Sequence, residues 1–150
     1  MEVKYINPFL EAFTKTLEQF DIKDIKRGGI NKKGKLYVES GVSTVICLNG
    51  GIHGNIAISM SQETAKNVFS KMMAGISVPG VDNMVLSAIG ELSSMIAGTA
   101  STMLKSLDIS LQISPPVVIL EPSDVNPFET LAIDFDTQLG KIEFNIGFEM

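Results

Sequence analysis

Apolar residues recur at helical spacing in three stretches of the chain and alternate at strand spacing in several others. Ile6, Leu10, Phe13, Leu17 and Phe20 fall three or four residues apart, the period of one helix face. Asn7-Pro8 reads as an N-cap followed by proline at the first helical position, so a helix is predicted from about Pro8 to Phe20. Gly28-Gly29 reads as a chain break. Leu36 to Glu39 predicts a short strand and Val42 to Leu48 a longer one. Asn49-Gly50-Gly51 is a strong turn signal before a return strand over Ile56 to Met60. Ser61 suits the cap of a second helix carrying Ala65, Val68, Phe69 and Met72 on one face, with Ala74-Gly75 at its end. Asp82 would cap a long third helix, about 82–106, with the stripe Val85, Ile89, Leu92, Ile96, Ala100, Met103 and Leu107. Strands follow at Ile109 to Ser114 and Val117 to Leu120, split by Pro115-Pro116. A last hairpin covers Leu131 to Asp136 and Ile142 to Glu149, alternating at Ile142, Phe144, Ile146 and Phe148.

The two hairpins end alike, in Asn55-Ile56-Ala57-Ile58-Ser59-Met60 and Asn145-Ile146-Gly147-Phe148-Glu149-Met150. Each follows a glycine turn, and each hairpin follows a helix. This suggests two related α-β-β units sharing one sheet, against the alternative of two hairpins that merely look alike. The expected fold class is α/β (α+β): one domain over 1–150, a mainly antiparallel sheet packed by helices.

The long helix carries one charged residue between Asp82 and Lys105, namely Glu91. Ser87, Glu91, Ser94, Gly98, Ser101 and Lys105 recur at spacings of four and three, which places them on one face, opposite the apolar stripe. A face of small residues around one carboxylate allows close approach of another surface. The alternative is a helix covered by its own fold or by a second copy, with Glu91 simply solvated.

Composition narrows the field. Of 150 residues 45% are hydrophobic and 19% charged, the globular range. The net charge is −5 and no basic run exceeds two residues, which argues against nucleic acid and against a basic membrane-surface helix. Met84 to Leu104 is long enough to raise a membrane question, but a mid-span Glu91 is costly in lipid, so no membrane span is expected. No signal peptide is visible, and the single cysteine, Cys47, fits a reducing cytoplasmic setting. Cys47 lies in an apolar strand and is read as a packing residue. His53 is the one histidine, so no His-based metal cluster is expected. Glu121, Asp124 and Glu129 around Pro122 and Pro127 read as a solvated loop.

The segment Ser87-Ala88-Ile89-Gly90-Glu91-Leu92-Ser93-Ser94-Met95-Ile96-Ala97-Gly98-Thr99-Ala100 resembles the signature helix of the CheC/CheX/FliY chemotaxis phosphatases, in its CheX-type version. That signature is Asp or Ser, three residues, Glu, two residues, Asn. Ile113-Ser114-Pro115-Pro116-Val117-Val118 resembles the family's Pro-x-Val-Val segment. The resemblance implies a partner, a phosphorylated CheY-like response regulator, and hydrolysis of its aspartyl phosphate. It implies no cofactor of the chain's own, with Mg²⁺ on the partner's receiver domain, and a homodimer joined through sheet edges such as Leu36 to Glu39 or Val117 to Leu120. Glu91 and Ser94 take the catalytic positions; Ser87, Gly90, Gly98 and Ser101 are taken as the partner-binding surface. In the family the Glu pairs with a receiver lysine and the Asn amide holds the attacking water. Here the Asn position is Ser94, whose hydroxyl is shorter than an amide side chain. Asn7, Glu11 and Thr14 share the spacing on the first helix. Catalytically weak or non-catalytic receiver binding, and a structural role like that of flagellar-switch domains, are the competing expectations.

Overall fold

The computed structural model describes residues 3–150. Helix α1 (Val3–Gln19) lays Ile6, Phe9, Leu10, Phe13 and Leu17 into the core. It already runs at Val3, so Asn7 is an exposed helical residue and not a cap, and Pro8 is buried inside the helix. Proline there removes one backbone donor, a local loss outweighed by an apolar face this well covered.

Strand β1 (Lys26–Lys33) runs through Gly28-Gly29, which form a bulge rather than a break: the register with the partner strand shifts between Arg27 and Ile30. Bulges favour glycine, and a Cβ on Gly28 would lie 3.2 Å from the Asp134 carbonyl. With almost every position exposed, β1 has no apolar alternation by which a sequence reading finds strands. Then come β2 (Leu36–Val38), β3 (Val42–Gly50) and β4 (His53–Met60). Helix α2 (Gln62–Met72) is capped by Ser61, whose hydroxyl accepts from the Thr64 amide, and its chain leaves through the left-handed Ala74 and Gly75. Helix α3 (Asn83–Lys105) leads to β5 (Leu111–Ile113), β6 (Val117–Ile119), β7 (Ser123–Asn126), β8 (Thr130–Thr137) and β9 (Gly140–Glu149). The acidic stretch expected to be a loop therefore contains β7.

The strands form a seven-stranded antiparallel sheet in the order β1-β8-β9-β4-β3-β5, with β6 also on β3, and a two-stranded sheet of β2 and β7. Helices cover one face of the large sheet. There Phe13 stacks on Phe135 and Phe144, with centroids 4.3 and 5.3 Å apart. The β2–β7 pair covers part of the other face, where Leu36, Val38, Val45 and Ala57 make a small second core. Cys47 lies outside that cover and is exposed. Leu36 to Val38 is thus paired with β7 along one side, with Leu36 and Val38 buried. Strand β6 is paired along β3, with Val117 exposed.

The expected duplication is present and larger than two α-β-β units. Ile56 stands opposite Ile146, with Asn55 opposite Gly147 and Ala57 opposite Asn145. The matched segments therefore meet at a local two-fold axis through the Ile56–Ile146 pair. The same axis relates β3 to β8, the outer strands β5/β6 to β1, β2 to β7, and α3 to α1, which pack together. Helix α2 has no counterpart among the described residues.

Candidate functional site

Helix α3 starts where the Asp82 carboxylate accepts from the Val85 amide at 3.0 Å, occupying an end donor. Val85, Ile89, Leu92, Ile96 and Ala100 are buried as expected. Leu104 completes the stripe, since Leu107 lies past the helix and is exposed. Ser93 is also buried. It donates to the Ile89 carbonyl at 3.1 Å and shares a hydrogen bond with the Thr44 hydroxyl on β3. That polar link fixes the rotation of α3 on the sheet, and with it the direction of its outer face.

The outer face points to solvent. Ser87 and Glu91 are exposed, while Ser94, Gly98 and Ser101 are half-buried. Gly90 is buried beneath Pro116, whose Cγ would lie 3.2 Å from a Cβ at that position. Its missing side chain admits the Pro115-Pro116 segment against the helix, and Gly90 lines the depression that this segment helps to form.

Among the described residues, Glu91 has no ion pair and no hydrogen bond, and the Ser94 hydroxyl has no protein partner. The residues four before and four after Glu91 are Ser87 and Met95, so the helix supplies no cation of its own. The related position on α1 differs: Glu11 pairs with Lys15 at 3.0 Å.

Two open depressions meet at Glu91. One, about 420 Å³, lies toward β6 and is lined by Ser87, Gly90, Glu91, Ser94, Pro116 and Val118 among others. The second, about 520 Å³ and mainly apolar, lies toward α2 between Phe69, Met73, Met84 and Ala88, again with Ser87 and Glu91 on its rim. Sequence reasoning placed Glu91 and Ser94 together but missed Pro116, Val118, Phe69 and Met73. Pro116 and Val118 lie in the segment that resembles the family's Pro-x-Val-Val stretch, but nothing in the spacing placed them beside Glu91. The arrangement suits an electrostatic anchor with a hydroxyl one turn along, able to hold a water. Among the described residues, no group of three or more His, Cys, Asp or Glu is placed to hold a metal ion. Helix α3 is long and apolar enough to cross a membrane by length and composition alone, but half of its apolar stretch is buried inside the fold.

Residues 42–125 match the family described as chemotaxis phosphatase CheX. The chain is 33% identical over 119 residues, 79% of its length and 77% of the relative's, to the CheY-P phosphatase CheX of Thermotoga maritima. The solved CheX-CheY-BeF3-Mg²⁺ complex of Borrelia burgdorferi contains a chain 29% identical to it, with TM-score 0.81, covering 99% of this chain and 100% of that one. A CheC-like superfamily protein from a Shewanella species, 24% identical, has the same fold with TM-score 0.87 over the whole of both chains. With a family match across more than half its length and a relative at this identity, the chain belongs to the CheX family of chemotaxis phosphatases.

Proposed function

We propose that the chain docks through α3 on a phosphorylated CheY-type response regulator and promotes hydrolysis of its aspartyl phosphate. The observation that carries this reading is Glu91, a carboxylate held on an exposed ridge with no ion-pair partner among the described residues. A receiver domain brings the complementary charge. The names of the relatives point the same way: one is a CheY-P phosphatase, another was solved with CheY and beryllofluoride, which stands in for the phosphoryl group.

The chemistry asked of the chain is modest. An aspartyl phosphate is a reactive acyl phosphate, and its Mg²⁺ belongs to the receiver, so the chain needs no cofactor. Glu91 anchors the receiver beside the phosphoryl group. Ser94 holds a water in line with phosphorus; the water oxygen bonds to phosphorus as the P–O bond to the aspartate breaks, the carboxylate leaves with the bonding pair, and inorganic phosphate is released with the water's proton passing to phosphate or solvent. Positioning of this kind is worth up to roughly 7–11 kcal/mol in ideal intramolecular cases. A serine hydroxyl is shorter than an amide and has a single donor, so turnover is slower than an Asn at this position would give. The same substitution favours a second reading, a receiver-binding adaptor without turnover.

Phosphate release from a phosphorylated receiver, with and without the chain, separates the two. Faster release establishes the phosphatase. Binding of the beryllofluoride-loaded receiver without faster release establishes the adaptor. Neither effect removes both readings. The chain acts in the cytoplasm, where such regulators work, and assembles as a homodimer through the open side of β6, where Val117 and Leu120 are exposed. Sedimentation at micromolar concentration tests the dimer.

A further inference from the structure

We infer that the apolar groove between α2 and α3 is the second half of the docking surface, and that it selects which receiver is bound by taking up an apolar side chain beside the receiver's cation. This rests on the reading of Glu91 given above, and it concerns a surface that the signature helix does not define.

Glu91 stands on the rim of the groove, so a body close enough to pair with its carboxylate covers Met84 and Met73 as well. Met84 is 65% exposed and Met73 38%, and Ile76 in the connection between the two helices is 59% exposed. Large apolar side chains left in water beside a functional group mark a contact surface more often than scattered ones do. Methionine adapts its shape to what it meets, which suits a surface docking against a separately folded domain. The charge pattern states what the occupant must present: one cation, to meet the one uncompensated carboxylate, bordered by apolar surface.

The internal two-fold axis gives an independent argument. α1 and α3 are related by that axis, and Asn7, Glu11 and Thr14 repeat the exposure of Ser87, Glu91 and Ser94 in turn. Two features break the equivalence. Glu11 has Lys15 beside it at 3.0 Å, and α2, which builds the groove with α3, has no mate among the described residues. The groove exists on the side where the carboxylate is left free. A helix that gives one of two equivalent faces an apolar wall is explained if that wall is part of the contact.

The test uses the full chain carrying Met73→Ala and Met84→Ala together. Both side chains are substantially exposed, so the fold is retained, which circular dichroism and unfolding check. Binding is measured to a CheY-type receiver loaded with beryllofluoride and Mg²⁺, alongside Glu91→Lys. The double variant is expected to bind about tenfold more weakly, equivalent to ~1.4 kcal/mol. It should show a raised KM and an unchanged kcat at saturating receiver, the mark of lost uniform binding. It should also discriminate less between receivers that differ in apolar residues beside the phosphorylation site. Affinity within twofold of the parent, with Glu91→Lys still abolishing binding, overturns the groove while leaving the docking reading intact. Should Glu91→Lys also bind normally, the docking reading itself fails.

Discussion

At Glu91 the governing quantity is charge left uncompensated. An exposed ion pair on a helix is worth little, about 0.3–0.5 kcal/mol at i,i+4, yet Lys15 beside Glu11 occupies the carboxylate that a partner's cation would need. Glu91 is available because Met95 stands where that lysine would be. Beside it, Ser94 occupies the position proposed to hold the attacking water. Ser94→Asn lengthens the side chain and adds an amide donor, so hydrolysis of a phosphorylated receiver is expected to rise by about tenfold or more, ~1.4 kcal/mol of barrier. An unchanged rate in a phosphate-release assay would show that position 94 does not hold the water. Ser93, one residue earlier, has a different task. It is 1% exposed and shares a hydrogen bond with Thr44, also 1% exposed. Ser93→Ala leaves the Thr44 hydroxyl buried without that partner and is expected to cost about 1–3 kcal/mol. The double variant Ser93→Ala with Thr44→Val removes both polar groups and should recover most of that loss in urea unfolding. Adjacent serines of identical chemistry are separated by the face they occupy: Ser93 falls on the stripe of Ile89 and Ile96 and Ser94 on the outer face, and only the fold supplies Thr44 as the partner of Ser93.

Helix α3 holds two glycines of opposite meaning. Gly90 lies under Pro116, whereas a Cβ on Gly98 would meet nothing within 4 Å. Gly98→Ala therefore removes only the backbone freedom of the unfolded chain and should stabilise by about 0.4–1 kcal/mol. Gly90→Val must displace Pro116 and should destabilise by roughly 1–3 kcal/mol, while shifting the β6 wall of the Ser94 depression. Thermal unfolding of the two variants, moving in opposite directions, checks the assignment; a destabilising Gly98→Ala would place hidden packing on that face. Docking measured with Gly98→Ala then reports on partner contact alone, free of any stability loss. The strands show the same limit of local reading. β3, β4, β8 and β9 announce themselves because one face is apolar and the period is two. β1 and β7 are polar nearly throughout and are strands because neighbouring strands supply their hydrogen bonds.

Across the whole molecule, two helices related by an internal axis present like-patterned faces, and only one has the features of a docking site. Glu11→Lys is accordingly expected to leave receiver affinity unchanged, where Glu91→Lys abolishes it; equal losses in the two variants would mean that both faces work. The sequence alone determined the amphipathic elements, the long helix with its lone carboxylate, the kinship of the two hairpins and the family signature, because each is written in short-range spacing. Tertiary structure decided the rest: Gly90 covered by Pro116, the pairing of β2 with β7, the axis through Ile56 and Ile146, and the groove that α2 adds beside Glu91. These depend on which distant segments come together, and contact between residues far apart in the chain leaves no period for a local pattern to carry.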